Sequence, residues 1–211
     1  MGRRIFINGF LGCALAALLC FSGPGQALAS EADLANGAKA FIDDLTTEAI
    51  NTLTAADIDK FERRKRFRQL MQDKFAFKGI AKWVLGRYWR QATEDERNQF
   101  VSLFEDLMVV TYADRFANYA GEKIHVISAE VRNGQDALVH SNLIRAASSD
   151  PVDVIWRVRR IKDQYKVVDV MVEGLSMGLT QQKEFTSVIR NNGGRVDGLL
   201  VELRKRLKSN T

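Results

Sequence analysis

Ser176 is the first residue whose setting suggests chemistry. Gly174-Leu175-Ser176-Met177-Gly178 fits the G-x-S-x-G pattern of a hydrolase nucleophile elbow, and it lies between a strand-like run and a helix-like run. Such a serine needs a histidine base, and in the α/β-hydrolase order that base follows the nucleophile. The chain has two histidines, His125 and His140, and both precede Ser176. An exported serine esterase or phospholipase is therefore an alternative with one partner out of order. The competing reading makes Gly174 a turn and Ser176 a helix cap. His125 and His140 fall on adjacent predicted strands and could face each other across a hairpin, but two imidazoles without a third ligand make a poor zinc site. Asp169 and Glu173, four apart on a strand, share a face by spacing. That arrangement suits a polar anchor at a pocket rim, or an Arg-paired surface, better than acid–base work.

Lys60 to Arg68 places six positive charges in nine residues. Inside a cell this would suggest nucleic acid; on an exported protein its partners are lipid headgroups or acidic surfaces, as in a ligand-free adaptor, or simply water. Phe61 and Phe67 interrupt the run and are expected on the buried side.

Export is expected from the N-terminus. Arg3 and Arg4 precede an apolar core from Phe10 to Phe21, Pro24 breaks the run, and Ala27-Leu28-Ala29 offers a small-x-small cleavage site. The core is short beside the roughly 20 residues of a membrane span, so cleavage is favoured over a retained anchor. Leu19 before Cys20 disfavours lipidation. Residues 1–29 thus read as a signal peptide and residues 30–211 as one domain. Without Arg3 and Arg4, 29 basic side chains oppose 26 acidic ones, a net charge of +3. Both cysteines, Cys13 and Cys20, leave with the peptide, which excludes disulfides, a thiolate nucleophile and cysteine-bound metal. A disulfide-free exported chain fits a bacterial periplasm.

The elements that must position these residues follow from periodicity. Helical spacing runs over Glu31–Leu53, then from a cap at Thr54 through Ile58, Phe61, Phe67, Leu70 and Met71, then Ile80–Trp89. Thr93 with Glu96 makes a capping box opening the longest helix, Glu94–Tyr119. From Gly121 the period changes to two. Lys123–Arg132, Gln135–Ala146, Val152–Ile161 and Tyr165–Glu173 read as strands, and Asn133-Gly134 as a hairpin turn. The loops allow only antiparallel neighbours, so a four-stranded meander is expected. Helices from about Met177 to Arg190 and from Val196 onward close an α+β domain. Large apolar side chains, among them Phe75, Phe77, Trp83, Phe104, Met108, Phe116 and Met177, exceed what one seam of helices on a sheet requires. Helices and a curved sheet enclosing a cavity for an apolar ligand would account for them.

The order of these pieces resembles the MlaC-type family, the toluene-tolerance auxiliary components of lipid transporters. The likeness is carried by Leu85-Gly86-Arg87-Tyr88-Trp89, by Ala92-Thr93-Glu94-Asp95-Glu96-Arg97 leading to Phe100, Phe104 and Tyr112, by Val154–Val158, by Tyr165–Val170, by Glu173–Met177 with Phe185, and by Gly198-Leu199-Leu200. The family usually carries Asn-Tyr-Arg where this chain has Thr180-Gln181-Gln182, a variant similar to the hopanoid-associated HpnM branch. The resemblance implies an NTF2-like α+β fold and a monomeric periplasmic carrier, with no catalysis, no cofactor and no nucleic-acid partner. Its cargo would be a lipid with an acyl or polycyclic body. It would exchange that cargo with an outer-membrane lipoprotein complex and with an inner-membrane ABC permease carrying an MCE-domain protein. The residues expected to line the cavity are Trp83, Phe104, Met108, Tyr112, Trp156, Val158, Val170, Met171 and Phe185.

Overall fold

The computed structural model describes residues 24–145 and 150–209, with side chains from residue 30. The expected signal-peptide core, both cysteines and Ala146 at the end of the second expected strand lie outside these residues. Among the described residues, no helix is long and apolar enough to cross a membrane.

Among the described residues, seven α-helices flank an antiparallel meander. They are α1 (Pro24–Leu53), α2 (Lys60–Lys74), α3 (Phe77–Leu85), α4 (Tyr88–Gln91), α5 (Glu94–Tyr112), α6 (Met177–Asn191) and α7 (Val196–Ser209). The strands, β1 (Lys123–Arg132), β2 (Asp136–Ile144), β3 (Val152–Ile161), β4 (Gln164–Val172) and β5 (Leu175–Ser176), pair in sequence order. Pro24 is the first residue of α1, where its missing N–H costs nothing; the apolar run that it was expected to end lies outside the described residues.

The expected four-strand sheet is corrected to five. Glu173 and Gly174 both take positive φ, +49° and +75°, and so form a two-residue turn that sends Leu175-Ser176 back against Val172-Met171. Lys162-Asp163 turns β3 into β4 in the same way, at +48° and +63°, and Asn133-Gly134 is the corresponding signal between β1 and β2. In β4 the register passes from Val158↔Val167 to Arg157↔Asp169, leaving Val168 as an extra residue. A bulge of this kind reverses the inward–outward alternation. Val167, Val170 and Val172 thereby come to face the helices together, and Met171 faces away.

Three helix boundaries and one buried face differ from the sequence expectation. The cap of α2 is Asp59, whose carboxylate accepts the Glu62 N–H at 2.7 Å, while the Thr54 hydroxyl donates to the Ile50 carbonyl. Gly86, at φ +60°, splits the third helix into α3 and α4. The Thr93–Glu96 capping box is present, but α5 ends at Tyr112 and a 3₁₀ segment continues over Ala113–Asn118. Phe61 is 77% exposed rather than buried, because the charged run around it turns another face inward. Lys60 and Arg64 reach Asp114, Arg68 reaches Glu105 and Asp106, Lys65 and Arg66 meet Glu62 on their own helix, and Arg63 donates to the Leu53 and Ile58 carbonyls. The pairs to Asp114, Glu105 and Asp106 clamp α2 onto the 3₁₀ segment and α5.

The core forms in two bodies. One is helical: Phe104 and Phe185 meet edge-on at 5.6 Å, Phe100 stacks on Phe104, and Val84, Leu199 and Leu203 complete it. The other packs Ala38, Ile42 and Leu45 of α1 on Val126, Val139, Val158 and Val167 of the sheet. Phe67 and Phe75 of the α2 segment are half-buried against both. The Ala76 N–H donates to the Val167 carbonyl at 2.9 Å and fixes that segment to the sheet.

Candidate functional site

The two cores do not close on one another. Between them lie two adjoining hollows, of about 400 Å³ and 330 Å³, each within the size range of small-molecule sites. Phe67, Met71, Phe75, Phe116 and Trp156 line both, so these side chains form the wall the two share. Trp156 is fixed there by its indole N–H, which donates to Ser141 Oγ at 3.0 Å; that hydroxyl in turn donates to the Val154 carbonyl. The first hollow is bounded by α1, through Leu45, Ala49 and Ile50, and by Ile124 and Leu143 of the sheet. The second is bounded by α3, α5, β4 and the start of α6.

Polar groups stand at opposite places in the two hollows. Arg115, Arg145 and Glu122 reach the first. Among the described residues neither arginine has a carboxylate partner; Arg115 lies over the Tyr112 ring at 5.2 Å. The Glu122 carboxylate accepts the Ala120 N–H, and that bond holds its pKa below the usual value. The second hollow carries Asp169 and Gln181 but no cation. Burial pushes the Tyr112 phenol pKa up against the smaller opposing pull of Arg115.

The expected lining residues divide. Phe104, Met108, Tyr112, Trp156 and Val170 come together on the second hollow, and Trp156 reaches the first as well. Val158 and Phe185 are fully buried in the sheet core and the helical core. Trp83 is partly exposed on α3 and Met171 faces the other side of β4; neither lines a hollow. Sequence reasoning passed over Phe67, Met71, Arg115, Arg145 and Gln181 as lining groups. Phe67 and Met71 carried an apolar signal, whereas nothing in the local sequence marked Arg145.

Ser176 has no histidine. His140 on β2 and Ser176 on β5 are separated by three strand spacings, about 14 Å. Its hydroxyl donates to Asp169 Oδ2 at 2.7 Å and accepts the Leu179 N–H at 3.0 Å, so it caps α6. Asp169, 9% exposed, also accepts the Gly178 and Val170 N–H groups. Glu173 turns away to accept the Asp153 N–H, so the two carboxylates do not form a pair. His125 stands opposite Asn142 and His140 opposite Ser128, not facing one another. The described residues hold no cluster of metal-ligating side chains. Ser176→Ala is expected to lower stability by about 1 kcal/mol through loss of the cap, measured by denaturant unfolding. Any esterase activity in the preparation should be unchanged by it.

An α+β domain holding a two-lobed, largely apolar space has the geometry of a container for an apolar or amphiphilic molecule. The chain belongs to the MlaC protein family, whose model matches residues 43–205. It is 26% identical over 125 residues to the intermembrane phospholipid transport system binding protein MlaC of Haemophilus influenzae, and the match covers 58% of each chain. It is 24% identical over 120 residues to the toluene tolerance protein ttg2D of Pseudomonas putida, covering 56% of this chain and 55% of that one. The chain thus spans little more than half the length of these curated relatives. A solved phospholipid-binding protein from Ralstonia solanacearum, in complex with a phospholipid, superposes with a TM-score of 0.71 at 25% identity, covering 82% of this chain and 98% of that one.

Proposed function

We propose that this protein is a periplasmic lipid carrier that holds the apolar part of a phospholipid, or of a related membrane lipid such as a hopanoid, in the paired hollows. It passes that cargo between outer-membrane and inner-membrane complexes, the inner one an ABC transporter with an MCE-domain protein. The observation that carries this reading is the apolar space left between two separately completed cores. The family and the phospholipid-bound Ralstonia relative support it. Residues 1–29 serve as the export signal, leaving 30–211 as the working domain.

The energetics require such a space. At roughly 0.8 kcal/mol per methylene, exposing a 16-carbon chain to water costs on the order of 10 kcal/mol, so a shuttle must cover its cargo fully. The cations set the polarity of the cargo: an anionic headgroup belongs at the rim near Arg115 and Arg145, and not at the second hollow, where the nearest charge is the Asp169 carboxylate.

Lipid extraction of protein purified from its native periplasm, followed by mass spectrometry, is expected to find phospholipid or hopanoid at near one-to-one occupancy. A protein repeatedly free of lipid, and unable to take up lipid from vesicles, would overturn the reading.

A further inference from the structure

One polar atom in the second hollow's wall has no function in the fold. Gln181 is the fifth residue of α6 and lines that hollow. Its amide nitrogen makes a long 3.4 Å bond to Glu184, and its carbonyl oxygen, shut off from solvent, is the only buried side-chain nitrogen or oxygen among the described residues without a hydrogen-bond partner. Buried acceptors are nearly always satisfied, so an orphan marks either strain or a missing donor. The neighbouring Asp169 cannot relieve it, because a carboxylate only accepts and already takes the Ser176, Gly178 and Val170 donors. The rest of the wall is aromatic and aliphatic, and its one hydroxyl, the Tyr112 phenol on α5, does not donate to the Gln181 oxygen.

We infer that the second hollow is built for a lipid bearing a hydrogen-bond donor, a hydroxyl or an amine, on its apolar body, and that Gln181 is the acceptor that selects it. The inference rests on the reading of the hollows as a lipid site. The missing group is a donor because the unpartnered atom is an amide oxygen, which can only accept. It is not an anionic headgroup, since no cation lines this hollow and Asp169 would repel one. The weak tether to Glu184 leaves the amide plane able to turn its oxygen toward a ligand. A purely apolar wall disfavours a hydroxyl that it must desolvate unpaired, whereas a wall with an unpaired acceptor recovers that loss.

The test uses delipidated protein and a fluorescent fatty-acid probe, displaced by palmitic acid and by two hydroxylated derivatives, one substituted mid-chain and one at the ω carbon. Wild type is expected to bind at least one hydroxylated acid as tightly as palmitic acid. In Gln181→Leu that acid should weaken about tenfold, the effect of one hydrogen bond to a ligand, while palmitic acid binds the variant as well as or better than wild type. Both hydroxylated acids binding more weakly than palmitic acid, by the same factor in the two proteins, would overturn the inference and leave the carrier reading standing. Failure of palmitic acid itself to displace the probe would overturn the carrier reading. Should Gln181→Leu not fold, the wild-type comparison decides alone: a clear preference for unsubstituted palmitic acid removes the inference.

Discussion

Ala49→Phe combined with Val170→Phe is expected to empty the protein of lipid while leaving it folded. Ala49 lines the first hollow and Val170 the second, and both are half-buried, with one side facing open space. A ring added at either position grows into the hollow instead of into packed core, so the overpacking cost of a few kcal/mol seen in close-packed interiors does not apply. Displacing about four methylenes of cargo costs roughly 3 kcal/mol, a loss of affinity on the order of a hundredfold. Native mass spectrometry should show the double variant lipid-free with a melting temperature near wild type. Lipid at wild-type occupancy in a folded variant would mean that the cargo sits elsewhere.

Asp136 carries the largest expected effect on stability. It opens β2 at 2% exposure and accepts from both Arg157 and Arg159, the latter through two nitrogens at 2.6 and 3.0 Å. Burial alone would raise its pKa; the hydrogen bonds from Arg159 and Arg157, with their charges, outweigh that and hold it below the usual carboxylate value. Asp136→Ala leaves two guanidinium groups without their partner. Both are partly exposed and water recovers some of the loss, so the expected destabilisation is about 2 kcal/mol, below that of a fully buried pair. The pH dependence follows from the direction of the shift. A carboxyl with a depressed folded pKa contributes stability that is fully present above its unfolded value of about 3.9 and is lost as pH falls through the folded value. Asp114, lowered chiefly by its hydrogen bond from Arg64, loses its contribution in the same acid range. Wild type should therefore lose stability steeply below about pH 4, and Asp136→Ala should show a shallower acid slope in urea melts between about pH 6 and pH 2. Equal slopes would show that the pair contributes nothing to folding.

Local pattern determined much of this protein in advance. The change from a period near 3.6 to a period of two at Gly121, the Thr93–Glu96 capping box and the Asn133-Gly134 turn each depend on a few neighbouring residues. Helices, then a meander, then helices were accordingly legible, as was the lack of a histidine after Ser176. The family resemblance was carried by the same local stretches.

Tertiary structure decided where the apolar surplus goes. Trp156 and Val158 share one face of β3, yet α1 covers Val158 completely and leaves Trp156 at the hollow. Phe185 is as apolar as Phe104, but it is enclosed between Phe100 and Phe104 and does not reach the space. In β4 the one-residue bulge at Val168 settles which of Val170 and Met171 faces inward, and no periodicity count reveals a bulge. The cations of the Lys60–Arg68 run are engaged in ion pairs and carbonyl contacts within the chain, while Arg115 of the 3₁₀ segment and Arg145, just after β2, both line the first hollow. Sequence supplies side-chain type and spacing along an element. Which faces cover one another, and where two finished cores stop short of meeting, depends on residues far apart in the chain, and it is that gap which makes the site.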